Sequence, residues 1–133
     1  MTEVWDKLLI GGIGDALEVA ESNEFGITTV ITLCREPIRI RRGGVNYLNF
    51  PVVETSPMPT GWLDPIIDAL FENIRWGKVL VASNGTIVAP VIAAAWMHTV
   101  GFKDFDAALA EIGKLHTVEP SPILLRSIRK AIR

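Results

Sequence analysis

The sequence predicts an α/β fold in which a central, mostly parallel sheet is flanked by helices. The main observation is the stretch from Lys78 to His98. It begins with a short apolar run typical of a strand buried on both faces, continues through a small polar segment, and ends in an alanine-rich helix opened by Pro90. A run rich in β-branched residues, Ile27–Cys34, favours a second buried strand. Apolar residues at helical spacing in the segment 63–74 predict a helix that flanks the sheet.

Four strands are expected, with the last of them in the middle of the sheet. Their predicted ranges are Leu8–Ile10, Thr28–Leu33, Val45–Phe50 and Val79–Ala82. The basic segment that ends in Gly43 and Gly44 is expected to be a loop, as is the proline-containing segment 51–59.

Helices are expected in five places along the chain. The predicted ranges are Asp15–Ala20, Leu63–Ile74, Val91–His98, Asp104–Ile112 and Ile123–Ile132. The second has the apolar spacing of an amphipathic helix. Asp104 is a suitable N-cap for the fourth, and the basic end of the last helix suits the helix dipole.

Length and composition indicate one globular domain, residues 1–133, of 49% hydrophobic and 21% charged residues. The formal net charge of −2 gives no electrostatic reason to expect nucleic acid as a partner. We expect no membrane partner, no signal peptide and a cytoplasmic location, because no apolar run is long enough to span a bilayer and the first residues lack a basic segment. A single cysteine, Cys34, excludes an intrachain disulfide, and the scattered His and Cys residues suggest no metal site. No cofactor is expected.

The segment Ala82–Pro90, called here the signature stretch, resembles the signature of the small dual-specificity, cysteine-based protein phosphatases. That signature, His-Cys-x-x-Gly-x-x-Arg-Ser/Thr, lies between the central strand and a buried helix. In this chain the His is Ala82, the nucleophilic Cys is Ser83, the Arg is Ala89 and the Ser/Thr is Pro90. The glycine is displaced, since Thr86 holds its place and Gly85 lies one residue earlier. The resemblance implies a dual-specificity phosphatase-like fold whose signature is degenerate.

Other segments carry the same resemblance. Phe25–Ile31 looks like the family's "gly-ile-thr-x-val-ile" strand, and the opening from Ile10 to Ala16 is similar to the family's own. In the family an aspartate general acid lies a few residues after "ile-pro"; here Glu54 follows Phe50-Pro51 at a similar distance. The order of elements matches over nearly the whole chain.

The replaced residues remove the chemistry that the family uses. A cysteine phosphatase attacks phosphorus with a low-pKa thiolate, whereas the hydroxyl of Ser83 needs a neighbouring base. Neither His98 nor His116 is placed by the sequence to act as that base. The family's arginine binds the phosphate and offsets charge in the transition state, and Ala89 does neither.

The resemblance therefore implies a catalytically inactive, phosphatase-like binding or regulatory module, a pseudophosphatase. Its vestigial catalytic positions are Ser83 and Glu54. The candidate anion-binding loop consists of Ser83, Asn84, Gly85, Thr86, Ile87, Val88 and Ala89, whose N–H groups precede or open a helix that begins near Ile87. The expected partner is a protein or a small anionic ligand at the former active-site cleft.

Several alternatives stay open at the level of sequence. The chain is an active phosphoester hydrolase if Ser83 acts as nucleophile in a rearranged site with Glu54, Asn84 or Thr86. It is a structural or oligomerising subunit if an apolar patch lies outside the cleft. The signature stretch is also readable as a plain turn in which Ser83 or Asn84 bonds the backbone. A rhodanese-like domain is the second candidate for the fold. Cys34 and His98 are interpreted as a buried hydrophobe and a hydrogen-bonded core or edge residue.

Overall fold

A twisted α/β architecture is present in the computed structural model, which describes residues 1–84, 86–119 and 121–132. The strands within these ranges are β1 (Thr2–Trp5), β2 (Leu8–Gly12), β3 (Ile27–Thr32), β4 (Asn46–Asn49) and β5 (Lys78–Ser83). The helices are α1 (Ile13–Glu21), α2 (Leu63–Ile74), α3 (Val88–Gly101), α4 (Phe105–Leu115) and α5 (Pro122–Ala131). Gly85, which the sequence analysis places in the anion-binding loop, lies outside the described residues.

The strands form one sheet in the order β1-β2-β5-β3-β4. β5 pairs in parallel with β2 on one side and with β3 on the other, and β3 pairs in parallel with β4. Only the β1-β2 pairing in this described sheet is antiparallel. The prediction of a mostly parallel sheet with β5 in its middle is confirmed.

Successive residues of β5 point to opposite faces of the sheet, as strand geometry requires. Val79 and Val81 belong to a large apolar core shared with α2, α3, α4 and α5, whereas Leu80 and Ala82 belong to a smaller core beneath α1. Helices therefore cover both faces, which explains why the β5 sequence is apolar at consecutive positions.

Helix α3 runs through the larger core. Every residue from Val88 to Met97 is buried, so this helix has no polar face in its first three turns. The small side chains of Ala93, Ala94 and Ala95 allow close packing against neighbouring elements, and Phe71 of α2 lies against Trp96 with ring centroids 6.1 Å apart. The uniformly apolar sequence after Pro90 thus encodes a central helix.

The described structure has five strands where the sequence predicts four, and several predicted boundaries are wrong. The sequence analysis did not predict β1, whose four residues form the edge of the sheet and are mostly half-buried, so they carry no clear alternation. Gly11 and Gly12 continue β2 where a break was expected, and Ser83 ends β5 where a loop residue was expected. The predicted Val45–Phe50 strand is two residues too long, and the predicted Val91–His98 helix is three residues too short at each end, although its start at Val88 agrees with the expected start near Ile87.

Other helix predictions agree closely with the structure. Helix α2 has the predicted bounds. Asp104 caps α4 by accepting a hydrogen bond from the N–H of Ala107 at 3.0 Å. No helix in the described ranges is long and apolar enough to cross a membrane.

Candidate functional site

The candidate site lies at the carboxyl edge of the sheet, where β5 ends and α3 begins. Ser83 is the last residue of β5 and pairs in register with Gly12 of β2. Its side chain has no solvent exposure, and its Oγ accepts a hydrogen bond of 3.1 Å from the backbone N–H of Ala89. The hydroxyl at the position of the family's nucleophile therefore caps the start of α3 across the intervening loop.

This bond reduces the capacity of the helix start to hold an anion. The first three residues of α3 are Val88, Ala89 and Pro90. The N–H of Ala89 is already bonded to Ser83, and proline has no N–H. Of these three residues, only Val88 has an N–H that forms no hydrogen bond with another described residue, whereas a helix N-terminus that binds phosphate offers several.

The position of the family's arginine is filled by an apolar side chain. Ala89 is 1% exposed and belongs to the large core. A bond to the loop from outside is made by Glu119, whose N–H donates to the carbonyl oxygen of Thr86 at 3.1 Å. Apart from the Ser83 hydroxyl, the described contacts of the signature stretch thus involve apolar side chains and backbone groups, and no described salt bridge brings a cation to it.

Polar side chains remain within the loop. Asn84 is exposed to solvent. The Oγ1 of Thr86 is buried and has no hydrogen-bond partner among the described residues. A buried hydroxyl without a partner is unusual in a folded protein, so Thr86 is the polar group here with unused bonding capacity.

Glu54, the candidate acid, lies on the loop between β4 and α2. It is half-buried, and its backbone carbonyl accepts a hydrogen bond of 2.6 Å from the Oγ of Ser121. Farther along the same loop the N–H of Met58 donates to the Oγ of Ser127 at 2.8 Å. These contacts hold the loop against α5, but among the described hydrogen bonds none joins the Glu54 carboxylate to Ser83. The two serine anchors were not identified from the sequence, because an isolated serine near a proline has no distinctive pattern.

Both histidines are bonded away from Ser83. His98 contacts the carbonyl oxygens of Lys103 (Nδ1, 2.8 Å) and Ile132 (Nε2, 3.2 Å), which confirms its interpretation as a hydrogen-bonded residue at the core edge. The Nδ1 of His116 lies 3.4 Å from the Oγ1 of Thr2. In the described structure neither imidazole is placed to take a proton from Ser83.

Cys34 is 8% exposed, and its thiol contacts the carbonyl oxygen of Glu36 at 3.0 Å. Its interpretation as a buried residue is confirmed. In the ranges that the structure describes, no group of three or more His, Cys, Asp or Glu side chains is arranged to hold a metal ion.

Neither a scan against protein-family models nor a search of curated proteins gave a match. Solved structures of dual-specificity phosphatases, in contrast, superimpose on nearly the whole chain. Human DUSP28 matches with a TM-score of 0.84 and 21% identity, covering 99% of this chain and 95% of its own. A mouse putative dual specificity phosphatase, complexed with zinc tungstate, matches with a TM-score of 0.83 and 22% identity. This match covers 98% of this chain and 84% of the mouse chain. A third match is a leucine rich repeat and phosphatase domain containing protein from Entamoeba histolytica, with a TM-score of 0.81 and 16% identity. This match covers 98% of this chain and 89% of the Entamoeba chain.

The class of fold follows from these matches together with the site. This chain has the dual-specificity phosphatase fold, a mostly parallel sheet whose central strand leads through a loop into a buried helix. The resemblance stated from the sequence is thereby confirmed at the level of the fold.

Proposed function

We propose that this chain is a pseudophosphatase, a non-catalytic binding or regulatory module built on the dual-specificity phosphatase fold. One observation carries the proposal: the hydroxyl at the nucleophile position is buried and accepts the N–H of Ala89. A group that caps the central helix in this way serves the fold, and a hydroxyl with no solvent exposure is not accessible to a phosphoester.

The surrounding chemistry supports the same proposal. A serine nucleophile requires a base within hydrogen-bond reach, and the described contacts of Ser83 provide a backbone N–H instead. A guanidinium clamp is replaced by Ala89 in the core. Removal of one transition-state contact of this kind typically costs about 3 kcal/mol, and here nucleophile and clamp are replaced together.

The alternative function is an active phosphoester hydrolase that uses a rearranged site around Ser83, with Glu54 as acid or base. The exposed side chain of Asn84 supports this alternative, because it is available to contact a substrate oxygen, whereas the Oγ1 of Thr86 is buried. Turnover of an aryl phosphate separates this alternative from the pseudophosphatase proposal.

The proposed ligand at the former cleft is a protein or a small anion, and neither nucleic acid nor a membrane is expected there. The mouse neighbour was complexed with zinc tungstate. For this chain we propose that comparable oxyanions bind weakly, because at most one N–H remains among the first three residues of α3 and no described salt bridge brings a cation to the loop. We further propose a single domain over residues 1–133 and a cytoplasmic location, which the lone Cys34 supports.

The test is turnover of para-nitrophenyl phosphate by the wild-type chain and by Ser83→Ala, with Ser22→Ala, an exposed serine outside the signature stretch, as the matched control. We expect no turnover above background in any of the three. Turnover that is lost in Ser83→Ala and kept in Ser22→Ala would establish the hydrolase instead.

Calorimetry with inorganic phosphate and with a phosphotyrosine peptide measures the remaining anion affinity. We expect dissociation constants weaker than about 1 mM. Tighter phosphate binding would show that the loop retains a working anion site.

A further inference from the structure

A groove lies between the loop that precedes α2 and the outer face of α5, and it is called here the α5 groove. Its volume is about 630 Å³. The loop side is lined by residues 57–61 together with Leu63 and Asp64. The helix side is a stripe of α5 at helical spacing, formed by Ile123, Arg126, Ser127, Lys130 and Ala131. None of the described residues of the signature stretch lines it.

Two cations of this groove have no charged partner in the described structure. Arg126 and Lys130 are exposed, and neither forms a salt bridge with another described residue. Arg129, on the same helix, differs because its guanidinium pairs with Asp106 at 2.6 Å. Asp64 is the one acid among the described residues that line the groove, so the groove has an excess of positive charge on a chain whose formal net charge is −2.

The same two cations also line a second depression of about 460 Å³, together with Pro122, Leu125 and Arg129. Arg126 and Lys130 therefore border two adjoining concavities. The α5 groove also contains apolar surface, mainly that of Ile123, which is 47% exposed, whereas Met58 lines the groove with only 8% of its surface exposed.

The walls of the α5 groove are held in place by hydrogen bonds within the protein. The N–H of Met58 donates to the Oγ of Ser127, and that hydroxyl donates in turn to the carbonyl oxygen of Leu124, each at 2.8 Å. Pro57 and Pro59 restrict the loop further. A preformed groove costs less ordering entropy on binding than a mobile one.

We propose that the α5 groove binds an acidic segment of a partner protein that also carries an apolar side chain. Carboxylates of that segment pair with Arg126 and Lys130, and its apolar side chain packs on Ile123 and Met58. The proposal goes beyond the pseudophosphatase assignment and does not depend on it, because the groove is separate from Ser83.

The shape of the surface favours a peptide over an anionic membrane. A helix that lies on a membrane inserts its apolar face, but the apolar face of α5 (Leu124, Leu125 and Ile128) is buried in the protein. The outer face of α5 carries charged side chains and borders a concave surface. Side chains of a peptide can insert into such a surface.

The experiment is selection of a displayed library of random 12-residue peptides on the full chain, followed by affinity measurement with the enriched peptides. We expect enriched peptides to combine Asp or Glu with at least one apolar residue. The double variant Arg126→Glu/Lys130→Glu is expected to weaken their binding by about tenfold or more, with a wild-type affinity that falls as salt rises. The matched control, Arg75→Glu/Lys114→Glu, reverses two exposed cations outside the groove and is expected to leave binding unchanged.

Circular dichroism melting of both double variants checks that the fold is retained. Failure to enrich any acidic peptide, or equal weakening by the control variant, would overturn the proposal. Sedimentation with phosphatidylserine vesicles tests whether the chain binds an anionic membrane instead. Vesicle binding that the groove variant abolishes, without peptide enrichment, would replace the peptide proposal with a lipid surface.

Discussion

At the scale of the residue, Ser83 has a structural role that its position in the signature stretch does not suggest. Its hydroxyl is buried and bonded to the N–H of Ala89, so it satisfies a donor at the start of a helix that has few other polar contacts. The replacement of Arg by Ala at position 89 is consistent with this role, because a methyl group fits the core that surrounds it. The cap therefore involves the two residues that the sequence resemblance aligns with the family's nucleophile and arginine.

The first prediction concerns this cap. Ser83→Ala is expected to destabilise the fold by about 1–2 kcal/mol, because the buried N–H of Ala89 loses its acceptor. Urea denaturation followed by fluorescence measures the free energy of unfolding. Asn84→Ala, an exposed neighbour, serves as control and is expected to change that free energy by less than about 0.5 kcal/mol. Equal stability of Ser83→Ala and wild type would show that the cap contributes nothing.

The second prediction concerns restoration of catalysis. Ser83→Cys alone is expected to give no aryl phosphatase activity, because a thiol of pKa about 8.5 without a neighbouring cation is mostly protonated at neutral pH. Activity is expected only when Ser83→Cys is combined with Ala89→Arg and with loop repairs at Gly85, Thr86 and Pro90, Glu54 then acting as the acid.

Turnover of one aryl phosphate by the single and combined variants is the measurement. The combined variant with Ser83→Ala in place of Ser83→Cys is the control for activity that does not need the thiol. Robust turnover by Ser83→Cys alone would contradict the account of a degenerate site.

At the scale of the element, the turn that enters β5 is constrained by its neighbour β3. A Cβ built on Gly77 would lie 2.6 Å from both the Cγ2 and the Oγ1 of Thr28. The side chain of Thr28 has little freedom to move away, because its Oγ1 donates to the carbonyl oxygen of Lys78 at 3.1 Å. Glycine is therefore required at position 77 by close approach, although its backbone φ is not positive.

The third prediction tests that contact with a double-mutant cycle. Gly77→Ala is expected to cost about 1–3 kcal/mol in the wild-type background, because the added methyl group overlaps Thr28. In the Thr28→Ala background the same change is expected to cost at least about 1 kcal/mol less. The four free energies of unfolding give the coupling, and additive costs would mean that Thr28 is not the obstacle.

At the scale of the whole molecule, β5 and α3 form the centre around which the other elements pack. β5 is paired on both sides, whereas β1 and β4 lie at the edges of the described sheet. α3 packs on the same face as α2, α4 and α5. Functional surfaces are therefore distributed around this centre, with the signature stretch at the carboxyl edge of the sheet and the α5 groove on the helical face.

The fourth prediction follows from this arrangement. In native-state hydrogen exchange, the amides of β5 are expected to exchange most slowly among the strands, through global unfolding, because the strand is buried and paired on both sides. The amides of β1 and β4 are expected to exchange at least about tenfold faster, through local opening at the edges. Mass spectrometry of peptic fragments measures both. Protection of β4 equal to that of β5 would contradict the described sheet order.

The sequence by itself determined the elements whose signals are local. The bounds of α2 follow from apolar spacing within one helix. The Asp104 cap is a contact between residues three positions apart, and the central place of β5 follows from its continuous apolar run. The same kind of evidence carried the resemblance to the dual-specificity phosphatase fold, since that resemblance depends on which residues stand at adjacent positions.

Only the tertiary structure decided how distant segments meet. The edge strand β1 forms because β2 offers it a partner, and the acceptor role of Ser83 depends on the path of the loop between β5 and α3. The α5 groove joins residues such as Met58 and Ser127, which are 69 positions apart. Hydrophobic periodicity and capping report on neighbours within a turn or two of chain, whereas these contacts depend on the packing of whole elements, which leaves no periodic pattern in the sequence.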